Sequence, residues 1–369
     1  MLNKIFIVAA IILMISRVEA GTWSPEMRIG ISSGLKQVSL QVSAPCVMID
    51  TAKGTIIKKI KEGNDFIVDF DKLKVDKIEI RPEKISLQDL RTIINSREYC
   101  GGVAFNKGKD SLIVINLVPL EEYLRGVVSK EMSPSYPTEA LKAQTVAARS
   151  FAMKHRGRHA AEGFDLCSTT HCQVYDSISA YDSTDKAIDD TRGEVLTYKE
   201  KLADTNFHTD SGGMTENVGD VWGTAAPYLV AVKEIIKLSE PWTVKVTAKD
   251  FSSRFGENFG DVKSVKLSKL TVGKSAQDRT SSGRVKSAQV VGSKKTLTLE
   301  GTELRRKFSL PSTLFDMTLD DGEVIFTGFG RGHGVGMSQC GARAYAMDGW
   351  SYEKILAHYY NGTKLKKLY

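Results

Sequence analysis

The spacing of apolar and polar positions changes along the chain, and the sharpest change falls at residue 120. Upstream, short apolar runs at 27–31, 38–42, 47–49, 55–57, 66–70 and 77–80 are separated by breaks such as Lys53-Gly54 and Gly63-Asn64-Asp65. Such punctuation predicts short strands. Residues 99–117 predict a hairpin turning at 106–110. Then the period lengthens. Leu120, Tyr123, Leu124, Val127 and Val128 recur at offsets of three and four, which is the apolar face of a helix. Glu121, Glu122, Arg125 and Lys130 fall elsewhere on that helix, on positions expected to meet water. Glu131 is the next position on the apolar face.

Pro134 and Pro137 end this helix, and Thr138 is the expected N-cap of another, over about 140–154. Ala143, Ala147, Ala148 and Ala152 suit it to close packing. Further on, the pattern predicts a helix at 182–190, a strand at 193–198, an excursion over about 240–300 and a helix at 301–308. Two more strands follow, then a helix through Ala346 and an amphipathic helix at 352–360 with Ile355, Leu356 and Tyr359 inward. The expected fold is α+β. Its core is a helix–proline turn–helix unit within a domain spanning 99–369, preceded by a β-rich module at 21–98 for packing or wall attachment.

A glutamate in an apolar stripe is a local contradiction. Burial and the negative end of the helix dipole both favour the protonated form of a carboxyl group so placed. A carboxylic acid held protonated near neutral pH is what general-acid catalysis uses. The competing reading is a last-turn residue that simply faces solvent.

Composition narrows the setting. Hydrophobic content of 41% and charged content of 26% are those of a chain that buries a core. Residues 1–20 carry Lys4, an apolar run over 5–15 and Val18-Glu19-Ala20, the layout of a signal peptide cleaved after Ala20. An uncleaved membrane anchor is the alternative, although the run is short of the ~20 residues of a spanning helix. Either way the protein is expected outside the cytoplasm, in the periplasm or at the wall face of the membrane. The net charge of +7 suits an anionic wall or membrane surface. No basic stripe is interleaved with aromatics, so nucleic acid is not an expected partner.

Five cysteines leave at least one unpaired. A Cys46–Cys100 disulfide is compatible with export. Cys167, His171 and Cys172, with His159 upstream and His155 in reserve, have the composition of a tetrahedral zinc site. A Cys167–Cys172 disulfide or two free thiols are the other readings. A zinc here would hold its loop rather than activate water. Near an exposed His208, Ser211-Gly212-Gly213 forms a tight polar turn. Trp222 and Tyr228 are plates on which sugars could stack. Glycines at every second position from Gly328 to Gly336 imply close backbone approach around His333. Their spacing fits neither GxGxxG nor GxxxxGK[ST], so no nucleotide is expected, and no redox cofactor.

The run from Val118 to Ala152 (VPLEEYLRGVVSKEMSPSYPTEALKAQTVAARSFA) resembles the core motif of the stage II sporulation protein D (SpoIID) family. CSTTHCQVYDS, HTDSGGMTENVGDVWG with PYLVAV, and GFGRGHGVGMSQCGARAYA follow in the family's order, so the resemblance covers about residues 100–369. It implies a peptidoglycan lytic transglycosylase with Glu131 as catalytic acid and base. It also implies a glycan groove drawing on His333, Ser211, Gly213, Ser338, Gln339 and Arg149, and zinc at the cysteine/histidine motif, as in some members. The implied substrate is glycan stripped of stem peptides, and the implied partner a cell-wall amidase. Some relatives are amidase enhancers, so a non-catalytic wall-binding module is the first rival. A zinc hydrolase is the second, although no HExxH is present.

Overall fold

The computed structural model describes residues 23–178, 181–235 and 240–369. The segment read as a signal peptide or anchor lies outside the described residues. Among those described, no helix is long and apolar enough to cross a membrane. The chain divides into two compact units. One comprises the described residues up to Val127, those of 155–178 and Lys367–Tyr369; the other comprises Val128–Lys154 and the described residues of 181–366.

In the first unit the strands are β1 (Glu26–Leu35), β2 (Gln37–Val42), β3 (Cys46–Asp50), β4 (Thr55–Ile60), β5 (Phe66–Asp69), β6 (Lys77–Pro82), β7 (Arg91–Ile94), β8 (Arg97–Cys100), β9 (Gly102–Lys107), β10 (Leu112–Pro119) and β11 (Leu166–Cys167). Seven of them form one sheet in the order β11-β1-β10-β9-β6-β3-β4, and β5-β2-β7-β8 form another. The module boundary expected at residue 98 does not hold. Glu26 pairs with Pro119 and Ile80 with Val103, so the early strands and the hairpin share one sheet. Long-range pairing of this kind leaves no trace in local periodicity. Strands β7 and β8 were not foreseen. Cys46 and Cys100 are free thiols with separate carbonyl partners, so the expected disulfide is not made.

Helix α1 (Leu120–Glu131) follows directly from β10. Leu120, Tyr123, Leu124, Val127 and Val128 are all fully buried, as the stripe predicts. Glu121 is not solvent-facing: it is 1% exposed and accepts a hydrogen bond from the hydroxyl of Tyr369. A burial imposed by the last residue of the chain is invisible to a helical wheel.

The second unit holds α2 (Thr138–Lys154), α3 (Asp182–Asp190), β12 (Glu194–Tyr198), β13 (Lys201–Leu202), β14 (Phe207–His208) and α4 (Val218–Trp222). Thr138 is the first helical residue rather than the cap; the Pro137 carbonyl takes the N–H groups of Ala140 and Leu141. From Ala140 to Ala152 every residue of α2 except Lys142 is buried. Its small side chains admit close neighbours: Thr205 donates to the Ala147 carbonyl at 2.8 Å, and Leu196 N–H reaches the Ser150 hydroxyl at 2.8 Å.

Next come β15 (Trp242–Thr247), α5 (Ala248–Ser253), β16 (Val262–Lys266), β17 (Ser287–Gly292), β18 (Thr296–Glu300), α6 (Gly301–Phe308), β19 (Phe315–Asp320) and β20 (Glu323–Gly328). They build two three-stranded sheets around a phenylalanine-rich core of their own. The excursion thus continues past residue 300, because β20 pairs Gly328 with Trp242 and closes it. The chain ends in β21 (Met337–Ser338), α7 (Gln339–Met347), α8 (Tyr352–Tyr359) and β22 (Lys364–Lys367). Ile355, Leu356 and Tyr359 are buried against α2 in the second core. The architecture is α+β.

Candidate functional site

Glu131 is the last residue of α1 and is half-buried. Its position is set from both sides. Val128 is fully buried, and Met132 enters the core with Ala140, Leu141 and Ala143. The Met132 N–H bonds back to the Val128 carbonyl at 3.0 Å. The carboxylate therefore projects from a fixed joint between two helices, beside exposed Lys130 and Ser133.

The turn after Glu131 meets two other motif segments. Tyr136 lies under the Arg343 guanidinium, 5.0 Å from its ring centre. Burial pushes both the Tyr136 hydroxyl and the Cys340 thiol up, and the two groups are hydrogen-bond neighbours. Cys340 N–H in turn bonds the Thr209 carbonyl at 2.9 Å. The proline turn, the 207–213 loop and the first turn of α7 thus converge.

At the centre of that convergence is Glu234, which sequence reasoning missed. It accepts hydrogen bonds from the hydroxyls of Ser211 and Tyr359. Burial pushes its carboxyl up, against the Ser211, Tyr359 and Ser338 hydrogen bonds. Nothing around Glu234 in the sequence marks it: its neighbours, Lys233 and Ile235, show no period. The site candidates Ser211 and Ser338 are fully buried, and Gln339 is 5% exposed. Ser211 also accepts the Gly213 N–H at 3.0 Å, while Gly213 takes the Glu234 N–H. Ser338 caps α7 by accepting the Gly341 N–H at 3.0 Å. These hydroxyls hold the loops; they are not laid open to a ligand. Arg149 is corrected more fully. It is 0% exposed, and its guanidinium reaches the carbonyls of Glu194 and Ile188 at 3.2 and 3.4 Å. It ties α2 to α3 and β12 instead of lining a groove. A fully buried arginine in an alanine-rich helix cannot be told from a surface one by spacing.

His333 lies apart from the Glu234 cluster. Its Nδ1 accepts the Val335 N–H at 3.0 Å, and its ring lies 5.1 Å from Trp222 and 5.5 Å from His208. Burial first, then the charges of Arg305 and Arg284, lower its pKa to about 4. It is neutral at pH 7. His208, expected to be exposed, is 4% exposed; its Nδ1 donates to the Val335 carbonyl at 3.1 Å. Tyr228 packs against the second core, and its hydroxyl takes the Asp204 N–H, so only Trp222 remains an open plate.

Arg284, from the excursion, is fully buried among these loops. It donates to the Met214 and Ser211 carbonyls at 3.1 and 2.8 Å. Burial pushes its pKa down, opposed by the nearby carboxylates of Glu216, Glu234 and Asp210; Glu216 also accepts from Thr280 and Ser282. Gly334 lies flat on the guanidinium: a Cβ there would be 2.5 Å from Arg284 Cζ. This contact explains one of the alternating glycines.

In the first unit, the side-chain donors of His159, Cys167, His171 and Cys172 all lie within 4.8 Å of one another. Cys167 Sγ and Cys172 Sγ are 3.7 and 3.6 Å from His171 Nδ1, and Cys172 Sγ is 3.5 Å from His159 Nε2. Tetrahedral zinc with bonds of ~2.3 Å to sulfur and ~2.1 Å to nitrogen separates its ligands by about 3.6 Å, so the donors fit. Nδ1 of His159 is held by Glu162 at 2.9 Å, the outer contact that orients a ligating imidazole. His155 is not in the set.

These observations define an α+β protein in which the proline turn after Glu131 meets two other motif segments, with the buried Glu234 carboxyl where they converge. Residues 108–198 match the family model described as stage II sporulation protein, SpoIID, and residues 239–336 match the domain of unknown function DUF8618. Stage II sporulation protein D of Bacillus subtilis is 33% identical over 275 residues, which is 68% of this chain and 75% of that protein. An uncharacterised protein of Brachyspira hyodysenteriae is 35% identical over 79% of each chain. The amidase enhancer of Bacillus subtilis is 29% identical over 85% of this chain and half of that protein. The chain belongs to the SpoIID/amidase-enhancer family, and its role is cell-wall-related.

Proposed function

We propose that the protein is an exported lytic transglycosylase that cleaves peptidoglycan glycan strands, with Glu131 as general acid and then general base. The observation that carries this reading is the half-buried carboxylate fixed at the joint of α1 and α2 by Val128 and Met132. Glu131 protonates the glycosidic oxygen leaving the muramic acid carbon. It then takes the proton of that sugar's 6-hydroxyl, which closes on the anomeric carbon and leaves a 1,6-anhydro end. This route uses one carboxylate, unlike the flanking pair of most glycosidases.

Cys167, Cys172, His171 and His159 would hold a structural zinc, with the donor spacing in support. Bound there, the metal would supply a cross-link within the 155–178 segment. A cell-wall amidase is the proposed partner, which the relation to an amidase enhancer supports.

The test is a digest of purified, peptide-free glycan strands analysed by mass spectrometry, with wild type and Glu131→Gln side by side. Wild type is expected to release anhydro-ended fragments. Positioned proton transfer contributes roughly 10²–10⁴-fold, so Glu131→Gln should lose most turnover while keeping its melting temperature. Cleavage by Glu131→Gln at the wild-type rate would sink the assignment. Strand binding without any cleavage by wild type would favour a non-catalytic amidase enhancer.

A further inference from the structure

Among the described residues the two sheets of the first unit have four edges: β4 and β11 on the seven-stranded sheet, β5 and β8 on the other. Three of these strands are short, with two residues in β11 and four each in β5 and β8. Strand β4 has six residues, of which only Ile60 is buried. Its inner side is taken by β3, which pairs Cys46 with Ile60 and Asp50 with Thr55. Among the described residues no strand pairs with its outer side. That side presents a row of free N–H and C=O groups, which is a template for one more strand.

The side chains along this edge are apolar and basic. Ile56 and Ile57 are 55% and 48% exposed. The free edge of the second sheet lies alongside, since Lys58 Nζ is 5.7 Å from the Phe66 ring centre on β5. The next residue of β5, Ile67, is 62% exposed. Three open isoleucines thus lie on two adjacent free edges. Residues 51–61 also hold Lys53, Lys58, Lys59 and Lys61 and no acid. The acids around them are already engaged. Asp50 accepts the N–H groups of Ala52 and Lys53, and Glu83 pairs with Lys59 at 3.2 Å. Asp69 pairs with Lys72 at 3.4 Å, and Asp65 accepts from Gln41 Nε2 at 3.3 Å. Glu62 lies past the end of the strand. Among the described residues, Lys53, Lys58 and Lys61 make no ion pair.

We propose that β4 is a docking edge for an extended acidic segment of another protein, which adds to the seven-stranded sheet as one further strand. Main-chain hydrogen bonds supply the affinity, and carboxylates set opposite Lys58 and Lys61 supply the selectivity. The exposed isoleucines pack against apolar side chains that alternate with those carboxylates. A second copy of this chain is the poorer occupant, because β4 laid against β4 sets lysine against lysine. An anionic polymer or membrane surface would use the lysines but neither the free backbone row nor the isoleucines. The inference stands apart from the glycan reading and does not depend on it.

The test uses the full chain and three capped fluorescent peptides of equal length. One alternates glutamate with valine, one alternates lysine with valine, and one is as acidic as the first but has proline at every third position. Binding is read by fluorescence anisotropy, and its place by hydrogen exchange of residues 55–60. The glutamate–valine peptide is expected to slow exchange in 55–60 and to bind about ten-fold tighter than the lysine–valine peptide. The proline peptide, which cannot complete a ladder, should not bind. Lys58→Glu combined with Lys61→Glu should reverse the charge preference at an unchanged melting temperature. No protection of 55–60 by the glutamate–valine peptide at millimolar concentration would overturn the proposal. Equal binding of the proline peptide, or displacement of the glutamate–valine peptide by phosphatidylglycerol vesicles, would mark a plain anion-binding face and overturn it too. So would a dimer of the free chain that protects 55–60, which would make a second copy the occupant.

Discussion

Two histidines, His208 and His333, carry no charge in the folded protein at neutral pH. Burial is the first cause for both; each is also disfavoured as a cation by Arg284 and by Arg305. The unfolded chain takes up protons on these rings near the ordinary value of 6.5, while folded His333 does so near 4. The folded state therefore binds fewer protons in that window. Stability is fully present above pH 6.5 and falls as pH drops towards 4, by up to about 3 kcal/mol for His333. His208 extends the loss in the same direction. Urea unfolding between pH 7 and pH 4.5 should show this slope, and His333→Phe should flatten it. An unchanged slope in that variant would show that His333 is not the group responsible. At this scale the sequence was a partial guide. Glu131 stood out because it interrupts an apolar stripe. Glu216, Glu234 and Arg284 carry no such mark, since the partners Thr280, Tyr359 and Met214 that fix them are tens of residues away.

At the scale of elements, the joint between α1 and α2 was legible because proline and helical period are local properties. The glycine-rich segment before α7 was legible as close approach, but its partner was not. Gly334 has φ +85° and faces the Arg284 guanidinium, a side chain supplied by the excursion. Gly334→Ala combines left-handed backbone strain with overpacking and should cost about 2–4 kcal/mol. Gly349→Ala is the control. It has φ +79° but nothing within 4 Å of the added methyl, so it should cost only about 1–2 kcal/mol. Equal losses in chemical denaturation would show that the Arg284 contact does not constrain Gly334. The same contact explains why the excursion is more than a surface insertion: it places a buried cation among the loops that carry the third and fourth motifs.

For the molecule as a whole, the four donors in the first unit make metal content a stability question. Purified protein should carry about one zinc per chain, lost in Cys172→Ser. A ligand present in ~100-fold excess over its dissociation constant stabilises by about 2.7 kcal/mol. Chelation should therefore lower the melting temperature by ~3–5 °C. Glycan cleavage by the protein that stays folded should persist. Loss of cleavage without any change in melting temperature would point to the zinc-hydrolase reading.

The sequence by itself determined the α+β class, the helix–proline turn–helix joint, the Glu131 position within it, and the cysteine/histidine set. Each depends on residues a few positions apart or on one local period. Only the tertiary structure decided that the early strands share a sheet with the 102–119 hairpin, that Arg149 and Glu121 are buried, and that Ser211 and Ser338 serve Glu234 and a helix cap. It also decided that Arg284, supplied by the excursion, is buried among the loops around Ser211 and Gly334. Burial and charge pairing depend on which distant segments meet, and backbone pairing across tens of residues leaves no periodic trace in either partner.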